Sequence, residues 1–102
     1  MKYLLLIPLL LATAHANAAC YTARPGDAPV PADGKTATKA EMVASQKAAN
    51  AYVEEVRVFL DCNQKRLREL QHNYYVDQAF AAAEAYNAEL QEFRSRDTVA
   101  GR

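Results

Sequence analysis

Between Thr38 and Leu70 the chain contains neither glycine nor proline, and its apolar residues recur at intervals of four and three. The lane runs Met42, Ala49, Val53, Val56, Leu60, Leu67 and Leu70, with Gln46 and Asn63 as polar members. That rhythm keeps one stripe of a helix turned toward a neighbour lying lengthwise beside it. Thr38-Lys39-Ala40-Glu41 has the spacing of a capping box: Thr38 is the N-cap and Glu41 reaches back to its backbone N–H. A second segment repeats the rhythm through Val76, Ala79, Ala83, Tyr86, Leu90 and Phe93, with Phe80 beside it. Between the two lies Gln71-His72-Asn73-Tyr74-Tyr75, where Asn73 tolerates a left-handed conformation and can cap a following helix. The turn is placed there, giving a first helix over about 38–70 and a second over about 74–95. The alternative is one continuous helix pairing with a second molecule. Residues 97–102 form a tail expected to fray.

Residues 19–37 read as an extended arm. Pro25, Pro29 and Pro31, with Gly26 and Gly34, exclude a helix and favour polyproline-like or turn conformations. Tyr52 and Phe59 make a second apolar lane beside the first, with Cys62 at its outer edge. One face of the first helix can therefore take the second helix while the next takes the arm. The arm is long enough to run antiparallel along the first helix as far as Cys62, since a polyproline segment rises about 3.1 Å per residue against 1.5 Å for a helix.

The first residues have the three parts of a secretory signal. Lys2 supplies the positive start, Tyr3–Ala12 a short leucine-rich apolar run, and Ala16-Asn17-Ala18 a small-x-small site with cleavage before Ala19. The run is about half of what a bilayer span requires, and no second one follows. Residues 1–18 thus form a signal peptide and the mature protein is periplasmic or secreted. Acylation of Cys20 is the competing fate, disfavoured by Asn17 where lipoprotein signals resemble one another in an aliphatic residue. In an oxidising compartment the two cysteines, Cys20 and Cys62, are expected to be joined. Such a bridge could contribute up to about 4 kcal/mol to so small a domain.

Charge and motifs narrow the function classes. Lys2 leaves with the signal, so 11 basic residues face 12 acidic ones, and a near-neutral chain has no footprint for nucleic acid. Lys65-Arg66-x-Arg68 reads as a solvated helix end favoured by the dipole. Glu69-x-x-His72 has the spacing of one half of a carboxylate-bridged dimetal site, but such a site needs two of these motifs and two more carboxylates. No Ser/His/Asp or Cys/His arrangement, haem motif or phosphate cradle is present, so neither enzyme nor cofactor is expected. Tyr74 and Tyr75 either anchor a protein partner or fold back over the end of the core.

The run from Pro29 and Pro31 through Gly34, Thr38 and Glu41 to Met42, then Tyr52 and Cys62, resembles a group of small exported proteobacterial proteins. These resemble one another in a signal peptide, a proline-rich arm, a capped helix and a cysteine near its far end. Asn73 through Val76 to Phe93 fits the same pattern, so the likeness covers nearly all the mature chain through short motifs. It implies a bacterial envelope location and carries over no functional residue.

The expectation is an all-α protein: an antiparallel two-helix hairpin (residues 38–96) preceded by a proline-rich arm and closed by one disulfide. It would act through an unknown protein partner or as a homodimer. The alternative is a small-ligand or metal-binding envelope protein using Glu69, His72 and nearby carboxylates.

Overall fold

The computed structural model describes residues 23–100, with side chains as far as Arg96. Residues 1–22, which include the expected signal peptide (1–18) and Cys20, and residues 101–102 lie outside the described residues. Helix α1 spans Lys39–Asn63 and helix α2 spans Glu69–Ala100; they pack on one another as a hairpin, with no strand among the described residues.

Helix α1 starts where its local chemistry demands. Glu41 N–H donates to Thr38 Oγ1 at 3.1 Å, while Thr38 N–H donates to Glu41 Oε1 at 3.3 Å. Two of the N–H groups left without a helical partner are thereby satisfied reciprocally. From that cap, Met42, Ala49, Tyr52, Val56, Phe59 and Leu60 are buried along one face. Val56, at 1% exposure, is the most enclosed; burial of a side chain of this size contributes roughly 1.5–3 kcal/mol.

The turn falls earlier than Gln71–Tyr75. Asn63 Nδ2 donates to the Phe59 carbonyl at 2.8 Å, and the Asn63 carbonyl accepts from Arg66 N–H and Leu67 N–H, which closes α1. Residues 64–68 form the loop. Arg68 N–H donates to Gln71 Oε1, half of a capping box without a hydroxyl at the cap, and His72 N–H donates to the Arg68 carbonyl to begin α2. Leu67 packs against the core cluster of Tyr52, Val56, Phe59, Leu60 and Ala82. Tyr75 does the same, its ring 4.9 Å from Phe59 in an edge-on contact. These two apolar anchors set the hairpin's closed end, so Gln71–Tyr75 becomes the opening of α2. Leu70, assigned by periodicity to the first helix's lane, is instead 84% exposed.

The inward face of α2 keeps the expected lane except at Val76. Ala82 is buried and Tyr75, Ala79, Ala83, Tyr86, Leu90 and Phe93 are half-buried, whereas Val76 and Phe80 face outward. The helix persists beyond residue 95 to Ala100, since no proline or glycine interrupts it before Gly101.

The arm is the third layer. Ala32 N–H donates to Ser45 Oγ at 2.9 Å, Ala28 packs on the core cluster, and Ala23 borders an open depression with Ala51, Glu55 and Val58. Arm residue numbers fall as α1 numbers rise, so the arm runs antiparallel to α1. It covers one side of the seam between the helices, enclosing a cavity with Tyr52 on α1 and Tyr74, Tyr75 and Gln78 on α2. At its end a tight turn is held by the Asp33 carbonyl, which accepts from Thr36 N–H and Ala37 N–H, and by Asp33 Oδ1, which accepts from Lys35 N–H.

Candidate functional site

Four places bring together side chains with chemical or binding potential. The first is the arm's turn against α2. Gly34 sits so close to α2 that a methyl group there would strike the Glu89 carbonyl and lie 3.0 Å from the Phe93 nitrogen. Arg96 reaches across: its Nη1 donates to the Gly34 carbonyl at 3.3 Å and its Nη2 to the Ala37 carbonyl at 2.7 Å. Its guanidinium also stacks 4.9 Å from the Phe93 ring centroid. Beside this clamp the carboxylates of Asp33, Glu89 and Glu92 offer oxygens all within 4.8 Å of one another. Glu89 Oε2 is buried without a hydrogen-bond partner, although the residue as a whole is only half-buried and Asp33 is exposed. Hard oxygens of this kind suit Ca²⁺ or Mg²⁺. The cluster differs from the Glu69 and His72 pair picked out by spacing. Those two stand on the first turn of α2, exposed and half-buried respectively.

The second place is a cavity of about 170 Å³ under the arm, lined by Pro25–Ala28, Tyr52, Tyr74, Tyr75 and Gln78. The Tyr52 phenol is pushed above its usual range, chiefly by burial and then by Tyr74, Glu55, Asp27 and Tyr75 nearby. Tyr74 and Tyr75 divide the roles the sequence left open. Tyr75 closes the core against Phe59, while Tyr74 meets its ring at 5.2 Å and remains 57% exposed.

The third place is the opposite side of the helix seam, which no described residue covers. Val53, Ala79, Phe80 and Ala83 line an apolar groove of about 290 Å³, with Glu84 and Asn87 on its rim. Phe80 is 67% exposed there. The groove could have been foreseen from the sequence: Val76, Phe80, Ala83, Asn87 and Leu90 form a second four-three seam, which competes with the inward one.

The fourth is the far end of α1. Cys62 is half-buried in its last turn, beside a shallow depression of about 240 Å³ with Asp61, Gln64, Lys65 and Arg66. Cys20 lies outside the described residues. Lys65, Arg66 and Arg68 are exposed on the loop instead of on a helix end. One turn back, Arg57 donates to Glu54 and Asp61; this holds the Glu54 carboxyl below its usual range and raises Arg57. All three are exposed, so the cluster is worth little to stability.

No helix among the described residues is long and apolar enough to cross a membrane. No protein-family model, curated protein or solved structure matches the chain.

Proposed function

We propose that the mature chain is a non-catalytic protein of the bacterial periplasm, closed by a Cys20–Cys62 bridge and acting through contact with another protein. The observation that carries the reading is the apolar surface left outside a thin core: Leu70, Tyr74, Val76 and Phe80 are all exposed on α2. A monomer whose core is this small gains by covering such residues, and aromatic side chains of this kind supply the anchors of protein interfaces. Leu70 and Tyr74, four residues apart, share one face near the loop, while Val76 and Phe80 share the groove side.

The bridge belongs to the same proposal. Ala23 and Val58 border the same open depression, and Cys62 is one helical turn further along α1, about 6 Å. The three residues back to Cys20 can cover about 9 Å in an extended conformation. The antiparallel run of the described arm along α1 supports a bridge to Cys62. An acylated Cys20 could not form the bridge, so the two fates exclude each other.

Two measurements test the reading. Intact mass of the purified mature protein, before and after reduction, should show cleavage before Ala19, no acyl chain, and a gain of two hydrogens on reduction. Native thiols that react freely would remove the bridge. Sedimentation, together with crosslinking in intact periplasm from a photoreactive residue at position 74 or 80, should give a saturable complex that re-forms from purified components. A monomer at high concentration with no crosslinked partner would overturn the protein-contact reading.

A further inference from the structure

We infer that the groove between Val53 and Phe80 receives an amphipathic helix of a partner protein, one whose apolar seam is flanked by lysine or arginine on the side facing α2; this rests on the protein-contact reading above. The arm covers one side of the α1–α2 seam and no described residue covers the other, so the hairpin offers a ready trough for a third helix. Val53 forms one wall, Ala79 and Ala83 the floor, and Phe80 a wall standing 67% exposed. The small side chains on the floor let an incoming helix approach closely.

The charge on the two banks identifies the occupant. From Glu69 to Phe93 the chain has no lysine or arginine but five acidic residues. Three of these, Glu69, Asp77 and Glu84, are exposed, and on a helix at 100° per residue they fall within about 60° of Phe80. Asp77 and Glu84 stand on the side of Phe80 away from Ala83 and Glu69 stands nearly in line with Phe80, so the three form an acidic rail beside the groove. The α1 bank supplies no matching charge: Gln46 and Asn50 are amides, and Arg57 is already bonded to Glu54 and Asp61. A second copy of this chain would present the same acidic rail beside the same seam, setting like charges together across a two-fold axis. A helix with a basic flank would pair with the rail and bury Phe80.

A designed three-heptad peptide with a leucine seam and lysine flanks, and its twin with glutamate flanks, test this by fluorescence anisotropy on the full mature protein. The lysine peptide should bind, more weakly as salt is raised, and the glutamate peptide at least about tenfold less well. Phe80→Ala should weaken the lysine peptide at least about tenfold, with an unchanged thermal melt because that side chain is exposed. The double variant Asp77→Lys, Glu84→Lys should reverse the preference toward the glutamate peptide. Equal binding of the twins, binding of neither, or indifference to Phe80→Ala overturns the inference. So does a dimer that Phe80→Ala dissociates. Overturning it while a partner crosslinks at position 74 leaves the protein-contact reading standing.

Discussion

Gly34 is glycine for want of room and not for backbone freedom, because no residue described has a positive φ. The α2 backbone at Glu89 and Phe93 occupies the place where a side chain would begin. Backbone cannot swing aside as a flexible side chain can, so Gly34→Ala should lower stability by about 1–3 kcal/mol, read as a fall in the urea midpoint. An unchanged midpoint would mean the turn is not seated on α2. Tyr52 makes a second prediction at this scale. Burial raises its pKa above the unfolded value near 10.0, so the folded protein holds that proton at pH values where the unfolded chain releases it. The stability associated with neutral Tyr52 is fully present below the unfolded pKa and is lost as pH rises through the folded one. Stability should therefore decline above about pH 10, and Tyr52→Phe should decline less steeply over that window. Parallel alkaline curves for the two proteins would refute it.

At the level of the helix, the most local signals are the ones legible in sequence. The Thr38–Glu41 box involves residues three apart and forms from them alone, which is why the start of α1 could be read directly. Thr38→Ala should cost about 1 kcal/mol, within the range of 0.5–2 for lost caps, measured by the thermal midpoint. The turn could not be read the same way. Asn63, Arg68 and Gln71 make only weak stop and start signals, and the decision falls to Leu67 and Tyr75, whose contacts with Phe59 and its neighbours join separate helices. The face of α2 was ambiguous for a related reason. Alanines occupy 81–83 and 85, and apolar residues appear on more than one side, so a four-three count fits two seams. Packing kept the lane from Ala79 to Phe93, added Tyr75 and Ala82 to it, and left Val76 and Phe80 outside.

At the scale of the whole molecule, the clamp made by Arg96 ties the arm's turn to the far part of α2 through residues about sixty apart in sequence. Hydrogen bonds from a charged donor are worth about 1.5–3 kcal/mol each, so Arg96→Gln should lower the melting midpoint clearly. It should also speed hydrogen exchange at the Thr36 and Ala37 amides while the centre of α1 stays protected. Arg57→Gln, which removes two exposed ion pairs, should leave the midpoint where it was. Equal effects of the two substitutions would show that the clamp does not hold the arm.

The amino-acid sequence by itself determined the helical class, the cap at Thr38, the extended character of the arm and the reach that lets it run back along α1. Each of these depends on near neighbours or on chain dimensions. Only the tertiary structure decided where the hairpin turns, that Val76 and Phe80 stay outside, why Gly34 must lack a side chain, and which carboxylates meet beside Arg96. The reason is physical: those outcomes are set by contacts between surfaces distant in sequence, and a helical period names the apolar stripes without saying which of them will be buried.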